Sequence, residues 1–187
     1  MDKDLEGICR PVYRNLWIYW LMLLLGTVLG LSDSTLITVI ALIPVIIELY
    51  QLYLMRTVSD GLEQAFRWNI AGMTIAVAGL VLALLALGSV LAVLLVLAAL
   101  GGVIVTVIAD YYFYSALDEL AAVRGYAYPA GRIKWCFWLS LIGGVAAGIL
   151  GLMAPGIVTP VSLAVQAVIL VLLWQYLQAV RKDEQDA

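Results

Sequence analysis

The sequence predicts an all-α, polytopic membrane protein with six transmembrane helices arranged as three antiparallel hairpins. Two observations predict it. The 187 residues are 65% hydrophobic, with a mean hydropathy of +1.06, and they contain six separate apolar runs. Because about 20 apolar residues cross a bilayer, six spans use most of the chain and leave no room for a soluble domain. We therefore treat 1–187 as a single membrane domain.

The six apolar runs pair into hairpins along the chain. They occupy residues 16–31, 35–54, 69–87, 90–108, 135–153 and 161–177. Within each pair, the outgoing and returning runs are joined by a short turn of Gly, Ser, Asp or Pro residues, which are the usual turn formers. The three hairpins are expected at 11–58, 60–124 and 129–181.

Basic residues set the predicted orientation. All ten lie in the N-terminal segment, the second and fourth gaps and the C-terminal tail, at Lys3, Arg10, Arg14, Arg56, Arg67, Arg124, Arg132, Lys134, Arg181 and Lys182. Positive residues stay on the cytoplasmic side during insertion. Both termini are therefore expected in the cytoplasm, and the other three connections on the outer side.

Two inner helix ends have local signals. Asp60-Gly61-Leu62-Glu63 fits a capping box, which predicts that the third helix starts near Asp60. The fourth span continues without a breaker to Arg124, where Gly125 is a C-cap candidate. A helix over 90–124 is about 52 Å long at 1.5 Å per residue, whereas the bilayer core is about 30 Å thick. This helix is therefore expected to tilt or to project into the cytoplasm.

The inner ends of the three hairpins repeat an aromatic-polar pattern. Tyr50, Tyr112 and Trp174 are each separated by 62 residues. Internal repetition and independent convergence on the same interface chemistry both explain this spacing.

The third hairpin has a glycine-rich outgoing span and a proline-bearing turn, Leu141-Ile-Gly-Gly-Val-Ala-Ala-Gly-Ile-Leu-Gly-Leu-Met-Ala-Pro-Gly. With six spans in a chain of this length, the pattern resembles the HdeD-like acid-resistance membrane proteins, although the first two turns lack the proline. The resemblance implies a bacterial inner-membrane protein linked to acid stress, without a defined catalytic site. It carries over no functional residue.

Aromatic residues concentrate at the predicted inner ends. All six Trp, ten Tyr and three Phe lie in the inner halves of the spans or in cytoplasmic segments. Trp and Tyr normally form belts at both interfaces, so one belt is missing. Either the rings form a single anchoring belt, or some of them line a cavity open to the cytoplasm. The candidates for the second interpretation are Trp20, Tyr50, Tyr53, Tyr112 and Trp174.

Small residues recur at helix-packing spacing. The predicted packing positions are Gly26, Gly30, Gly72, Gly79, Gly144 and Gly148. Such spacings let membrane helices approach closely, and contact with a second copy of the chain is the alternative use. Because most of these residues lie in the central and outer parts of the spans, the bundle is expected to be narrow outside and wider inside.

Polar residues inside the spans are the candidate functional groups. They are Glu48, Gln51, Asp110 and Gln166, with Pro44 expected to kink the helix one turn before Glu48. A membrane carboxylate is a functional-site hypothesis by default. The structural alternative is that Glu48 simply ties helices together through a hydrogen bond to Gln166 or a backbone carbonyl.

Composition argues against several function classes. The chain has no histidine, and its two cysteines, Cys9 and Cys136, match no metal or catalytic spacing. We therefore expect no enzyme, no metal and no cofactor, although an enzyme of unfamiliar type remains a third hypothesis. A net charge of −3 without a basic patch argues against nucleic-acid binding.

Two functions lead. The first is a non-catalytic membrane protein acting through helix contacts in the bilayer or at its cytoplasmic face, in an accessory or stress-related role, because intramembrane polar groups are few. The alternative is a small-solute or proton-coupled carrier with a cytoplasm-open aromatic cavity around Glu48. Expected partners are membrane lipid and a membrane-protein partner or a second copy.

Overall fold

The computed structural model describes residues 6–29, 37, 40, 42–86 and 90–186. Within these residues the protein is all-helical and contains no strand. The helices are α1 (Glu6–Leu29), α2 (Leu42–Met55), α3 (Asp60–Leu85), α4 (Val90–Arg124), α5 (Lys134–Met153), a short 3-10 helix (Pro155–Ile157) and α6 (Val158–Asp186). The turns predicted at 32–34 and 88–89, and Gly30, lie outside the described residues.

Four helices are long and apolar enough to cross a membrane. The qualifying stretches are Val12–Leu29, Asp60–Leu85, Val93–Arg124 and Val158–Lys182. The other two apolar helices are shorter, at Leu42–Met55 and Lys134–Leu150. The fold is therefore that of an all-α membrane protein, as the composition predicts.

The start of α3 corrects the predicted capping box. The N-cap is Ser59, whose hydroxyl accepts a hydrogen bond from the Leu62 backbone N–H at 3.2 Å. Asp60 is already helical, so its side chain cannot act as the cap, and Glu63 forms an ion pair with Arg67 one turn later. Ser59 satisfies an orphan N–H in the same way that Asp60 was expected to, one residue earlier.

The end of α4 confirms the prediction of one long helix. It has 35 residues and ends at Arg124. Gly125 adopts φ +72°, a left-handed conformation that favours glycine. The Tyr126 N–H donates to the Ala121 carbonyl at 3.0 Å. Of the two hydrogen bonds in a Schellman motif, this is the one that spans more residues.

The α4–α5 connection is held by Asp118, a largely buried carboxylate on α4. One of its oxygens accepts from the Gly131 backbone N–H at 2.7 Å, and the other pairs with Lys134 Nζ at 3.1 Å. In the same connection, the Tyr128 hydroxyl makes a long hydrogen bond of 3.4 Å to the Leu172 carbonyl. Burial raises the pKa of Tyr128 to about 12, so the hydroxyl remains a neutral donor at physiological pH.

The described helices form a closed ring. Each helix packs against its neighbours in the chain, and α6 returns to pack against α1. Among the described residues, opposite helices do not approach closely at the backbone and contact each other through side chains, as Tyr176 of α6 does at the Leu117 carbonyl of α4. The most extensive contact joins α3 to α4. A ring of this kind leaves space along its axis unless side chains fill it.

Among the described residues, the buried core that fills the ring lies at the end that carries the basic residues. Leu16, Met55, Leu62, Leu117 and Tyr176 are all completely or almost completely buried there. The opposite end of the α3–α4 pair is exposed, with Leu85 and Val90 about 80% accessible. The predicted widening toward the basic end is therefore wrong. Large aromatic and Leu side chains fill space at that end, whereas the small residues lie at contacts between neighbouring helices and do not draw the whole ring together.

Glycine contacts are confirmed for the α3–α4 pair. A Cβ added at Gly72 would lie 2.7 Å from the Gly102 carbonyl oxygen, and one added at Gly79 would lie 2.9 Å from the Ala99 nitrogen. Across α1 and α2, the Cβ position of Gly26 lies 3.7 Å from the Pro44 Cβ. Gly72 and Gly79 therefore permit close helix approach, as small residues do in membranes, whereas a Cβ at Gly26 would make an ordinary van der Waals contact.

On α5 the predicted packing glycines are not the ones used within the chain. Nothing lies within 4 Å of a Cβ placed at Gly144 or Gly148. Gly143 makes the contact instead, 2.6 Å from a methyl of Val165 on α6. The contacting glycine lies one residue before the predicted Gly144, which is about 100° around the helix. The spacing of glycines alone does not determine which face of the helix packs against its neighbour.

Candidate functional site

The axis of the helix ring holds a cavity of about 260 Å³ to which every helix contributes. More than half of its lining residues are polar: Tyr19 from α1, Glu48 from α2, Asn69 from α3, Thr106, Asp110 and Tyr114 from α4, Ser140 from α5 and Gln166 from α6. The cavity lies where the side chains of the surrounding helices do not fill the centre of the ring. Its polar lining is unusual for a position inside an apolar bundle.

Helical spacing places these groups on the inner faces. On α4, Thr106, Asp110 and Tyr114 recur every four residues and therefore share one face. On α2, Val45 and Leu49 lie on the same face as Glu48. From residue 90 to residue 109, every residue of α4 except Thr106 is Ala, Gly, Val, Leu or Ile, so Thr106 is the one polar residue in that stretch and it lies on the inner face of that helix.

Two carboxylates meet in the cavity. Glu48 and Asp110 both line it, and neither has an ion-pair partner among the described residues. No Lys or Arg contributes to the lining. Two like charges in a low-dielectric site repel each other and lose their hydration, so the arrangement is stabilised by positive charge, from a proton or from a cation.

Gln166 adds an unsatisfied acceptor to the same cavity. Its Oε1 is buried and has no hydrogen-bond partner in the described structure. A buried acceptor without a donor costs about 1–3 kcal/mol. The cavity therefore offers three acceptor groups, on Glu48, Asp110 and Gln166, to a ligand that brings donors.

Gln51 does not join the cavity. It is buried, and its Oε1 also lacks a hydrogen-bond partner, but it lies outside the cavity lining. Pro44 is buried in the first turn of α2 as described. The kink predicted there stays a prediction, because residues 38, 39 and 41 lie outside the described residues.

The predicted aromatic lining is wrong in its members. Tyr50, Tyr53 and Trp174 are 40–56% exposed on the outside of the ring. Trp20 donates to the Leu170 carbonyl at 2.8 Å and packs against Trp174, with ring centroids 5.0 Å apart. Tyr112 is half-buried and packs against the core beside Tyr111 rather than in the cavity.

The rings that do line the cavity are Tyr19 and Tyr114. The Tyr19 ring packs on Phe113 at 4.9 Å, which in turn contacts Tyr114 at 5.2 Å. These three rings close the cavity toward the basic end. Outside the cavity, the Arg56 guanidinium stacks on the exposed Tyr53 ring, 3.8 Å from the ring centroid.

Sequence reasoning missed the neutral polar members of the site. Asn69, Thr106 and Ser140 lie inside or at the edge of the predicted apolar runs, so the hydropathy pattern does not single them out. The available signal was the four-residue spacing of Thr106, Asp110 and Tyr114 on α4. No group of three His, Cys, Asp or Glu residues that could hold a metal ion occurs in the described part of the chain.

No family model matches this chain, and neither a curated protein nor a solved structure matches it.

Proposed function

We propose that this protein is a six-span carrier of the bacterial cytoplasmic membrane that binds a small organic cation or a proton in its axial cavity. The observation that carries the proposal is that Glu48, Asp110 and the unpartnered Gln166 carbonyl share one cavity without a basic side chain. Of the two functions that the sequence favours, the geometry supports the carrier better, because all six helices contribute to one polar site.

The six-span, three-hairpin architecture is part of the proposal. The three predicted hairpin pairs, α1–α2, α3–α4 and α5–α6, make the three most extensive helix contacts. Ile37 and Ile40, which precede α2, are also helical, and α5 has 20 residues, about the length of a span. Both short helices border the cavity, as a member of a transmembrane ring does.

Charge and size define the ligand class. Anions are repelled by two carboxylates, and the acceptor groups select a ligand with N–H donors, such as a primary alkylammonium or a guanidinium. The cavity of about 260 Å³ lies below the usual 300–1,000 Å³ of drug-sized sites. The ligand is therefore small. Having two carboxylates also allows exchange, in which a proton occupies one site while the cation occupies the other.

Binding is tested by thermal unfolding of the purified protein in detergent, followed by the fluorescence of its six tryptophans. Methylammonium, ethylammonium and guanidinium chloride are compared with sodium chloride at equal ionic strength. A cation at 100 times its Kd stabilises by about 2.7 kcal/mol, which corresponds to roughly 5–10 °C in a chain of this size. The shift should disappear in Glu48→Gln and in Asp110→Asn.

The matched control is Glu119→Gln, which removes an exposed carboxylate from the same helix as Asp110. It should keep the full shift. Equal shifts in Glu48→Gln, Asp110→Asn and Glu119→Gln, or none in the unmodified protein, would remove the basis for cation binding.

A second function is favoured by one observation. Gly144 and Gly148 present an open, exposed face of α5, where a helix of a partner protein or of a second copy can approach closely. This fits the accessory role, which the resemblance to acid-resistance proteins also favours. Replacing both glycines by Leu would disperse such a complex in native mass spectrometry from mild detergent, and an unchanged complex would exclude this face.

A further inference from the structure

We infer that the cation enters from the end of the bundle opposite the basic residues, through a hydroxyl-lined groove between α1, α2 and α6. The inference rests on the proposed function and adds the path and the side of entry. It depends on a second cavity of about 500 Å³ that shares four lining residues with the axial one.

The two cavities meet at the proposed binding groups. Both are lined by Glu48 and Gln166, together with Leu23 and Val45. From this junction the groove extends along α1 to Thr27 and along α6 to Thr159, next to the 3-10 turn at Pro155–Ile157. A ligand that follows the groove therefore reaches the Glu48 carboxylate before it reaches Asp110.

The groove offers oxygen atoms along its length. Thr159, Ser162 and Gln166 follow each other at intervals of three and four residues, so they form a polar track on one face of α6. Thr159 and Ser162 are exposed, whereas Gln166 is half-buried. A cation that loses its hydration water can exchange it stepwise for hydroxyl and amide oxygens along this track.

The other ways out of the axial cavity are less suited to a cation. Toward the basic end, Tyr19, Phe113 and Tyr114 pack on one another, and Leu16 and Leu117 behind them are fully buried. Between α4 and α5 a crevice of about 200 Å³ also reaches Asp110 and Ser140. Its remaining lining is apolar, including Val107, Phe137 and Leu141, so apart from Asp110 and Ser140 it offers a cation no side-chain oxygen.

The test measures thiol modification in a Cys9→Ser background. Cys136 is kept, because its side chain is completely buried. Right-side-out membrane vesicles that contain Ser162→Cys are treated with one of two methanethiosulfonate reagents. One reagent carries a cationic trimethylammonioethyl group and the other an anionic sulfonatoethyl group. The cationic reagent should react faster, with a rate ratio on the order of tenfold above that measured on a free thiol, because unit charges still interact strongly in a partly buried groove. Adding Glu48→Gln should lower this ratio.

Thr74→Cys is the matched control. Thr74 is an exposed hydroxyl residue on α3 that lines neither cavity, so its replacement thiol should face lipid and react slowly with both reagents. Thr159→Cys is the second groove variant and should react like Ser162→Cys.

Failure of both groove thiols to react from outside would overturn the route while leaving cation binding in detergent intact, because that measurement does not depend on the side of entry. Reaction without charge preference, or with a ratio that Glu48→Gln leaves unchanged, would show that the groove does not lead to the carboxylate. Loss of the thermal shift as well would remove the proposed function itself.

Discussion

The two ends of the helix ring differ in how they are held. At the basic end, Tyr176 is fully buried and donates to the Leu117 carbonyl at 2.8 Å, and side chains from α1, α2, α3, α4, α5 and α6 join one core. At the opposite end, α3 and α4 are joined by glycine contacts, while the groove separates α1 and α2 from α6. The core that stabilises the bundle and the groove through which we propose that the cation enters therefore lie at opposite ends.

The largest expected effect distinguishes the packed core from the lipid-facing surface. Leu62→Ala removes a fully buried side chain on α3 and should lower the free energy of unfolding by about 2–5 kcal/mol. Leu84→Ala on the same helix, 58% exposed, should change it by less than about 0.5 kcal/mol. Equilibrium unfolding in mixed micelles measures both. Similar costs for the two variants would mean that the basic end is not the packed end.

The next comparison isolates the glycine contact within α4. A Cβ at Gly102 would lie 2.5 Å from the Ala76 backbone nitrogen, so Gly102→Ala forces α3 and α4 apart and should cost about 1–3 kcal/mol. Its neighbour Gly101 has open space, so Gly101→Ala should stabilise by up to about 1 kcal/mol through helix propensity. The same unfolding measurement compares the two, and a destabilising Gly101→Ala would contradict the assigned helix face.

The smallest expected effect concerns the α4–α5 connection at the basic end. Asp118→Asn keeps an acceptor for the Gly131 N–H but loses the charge that pairs with Lys134. Because Lys134 is 42% exposed, screening limits the cost to about 0.2–1 kcal/mol. Hydrogen exchange of residues 126–133 should increase locally while cation binding is retained. If Asp118→Asn lost the thermal shift with ethylammonium, the contacts of Asp118 with Gly131 and Lys134 would be coupled to the binding site.

Much of the fold was predictable from local signals. The α4 helix begins and ends where the uninterrupted apolar run and Gly125 place it, because both signals act within a few residues. The α3 cap was misplaced by one residue because Ser59 and Asp60 are both good caps, and spacing does not choose between adjacent candidates. Which end of the ring is filled was predicted in the wrong direction, because it depends on contacts between helices distant in sequence.

The candidate site was predictable in part for the same reason. Glu48, Asp110 and Gln166 are conspicuous in apolar segments, and the structure brings all three to one cavity. The exposed rings of Tyr50 and Tyr53 were expected there because the rotation of α2 about its axis was unknown. Tyr19 lines the cavity instead of them. Its position depends on the packing of α6 against α1, which are distant in the sequence, and no local sequence pattern predicts that packing.

The proposed function requires that the axial carboxylates carry a cation across the membrane. Its most direct test is the charge displaced on a solid-supported membrane of reconstituted protein after a jump in ethylammonium concentration. We expect a saturable current in the unmodified protein and in Glu119→Gln. The current should be lost in both Glu48→Gln and Asp110→Asn. A current of equal size in all four proteins, or a current absent from the unmodified protein despite cation binding, would contradict it.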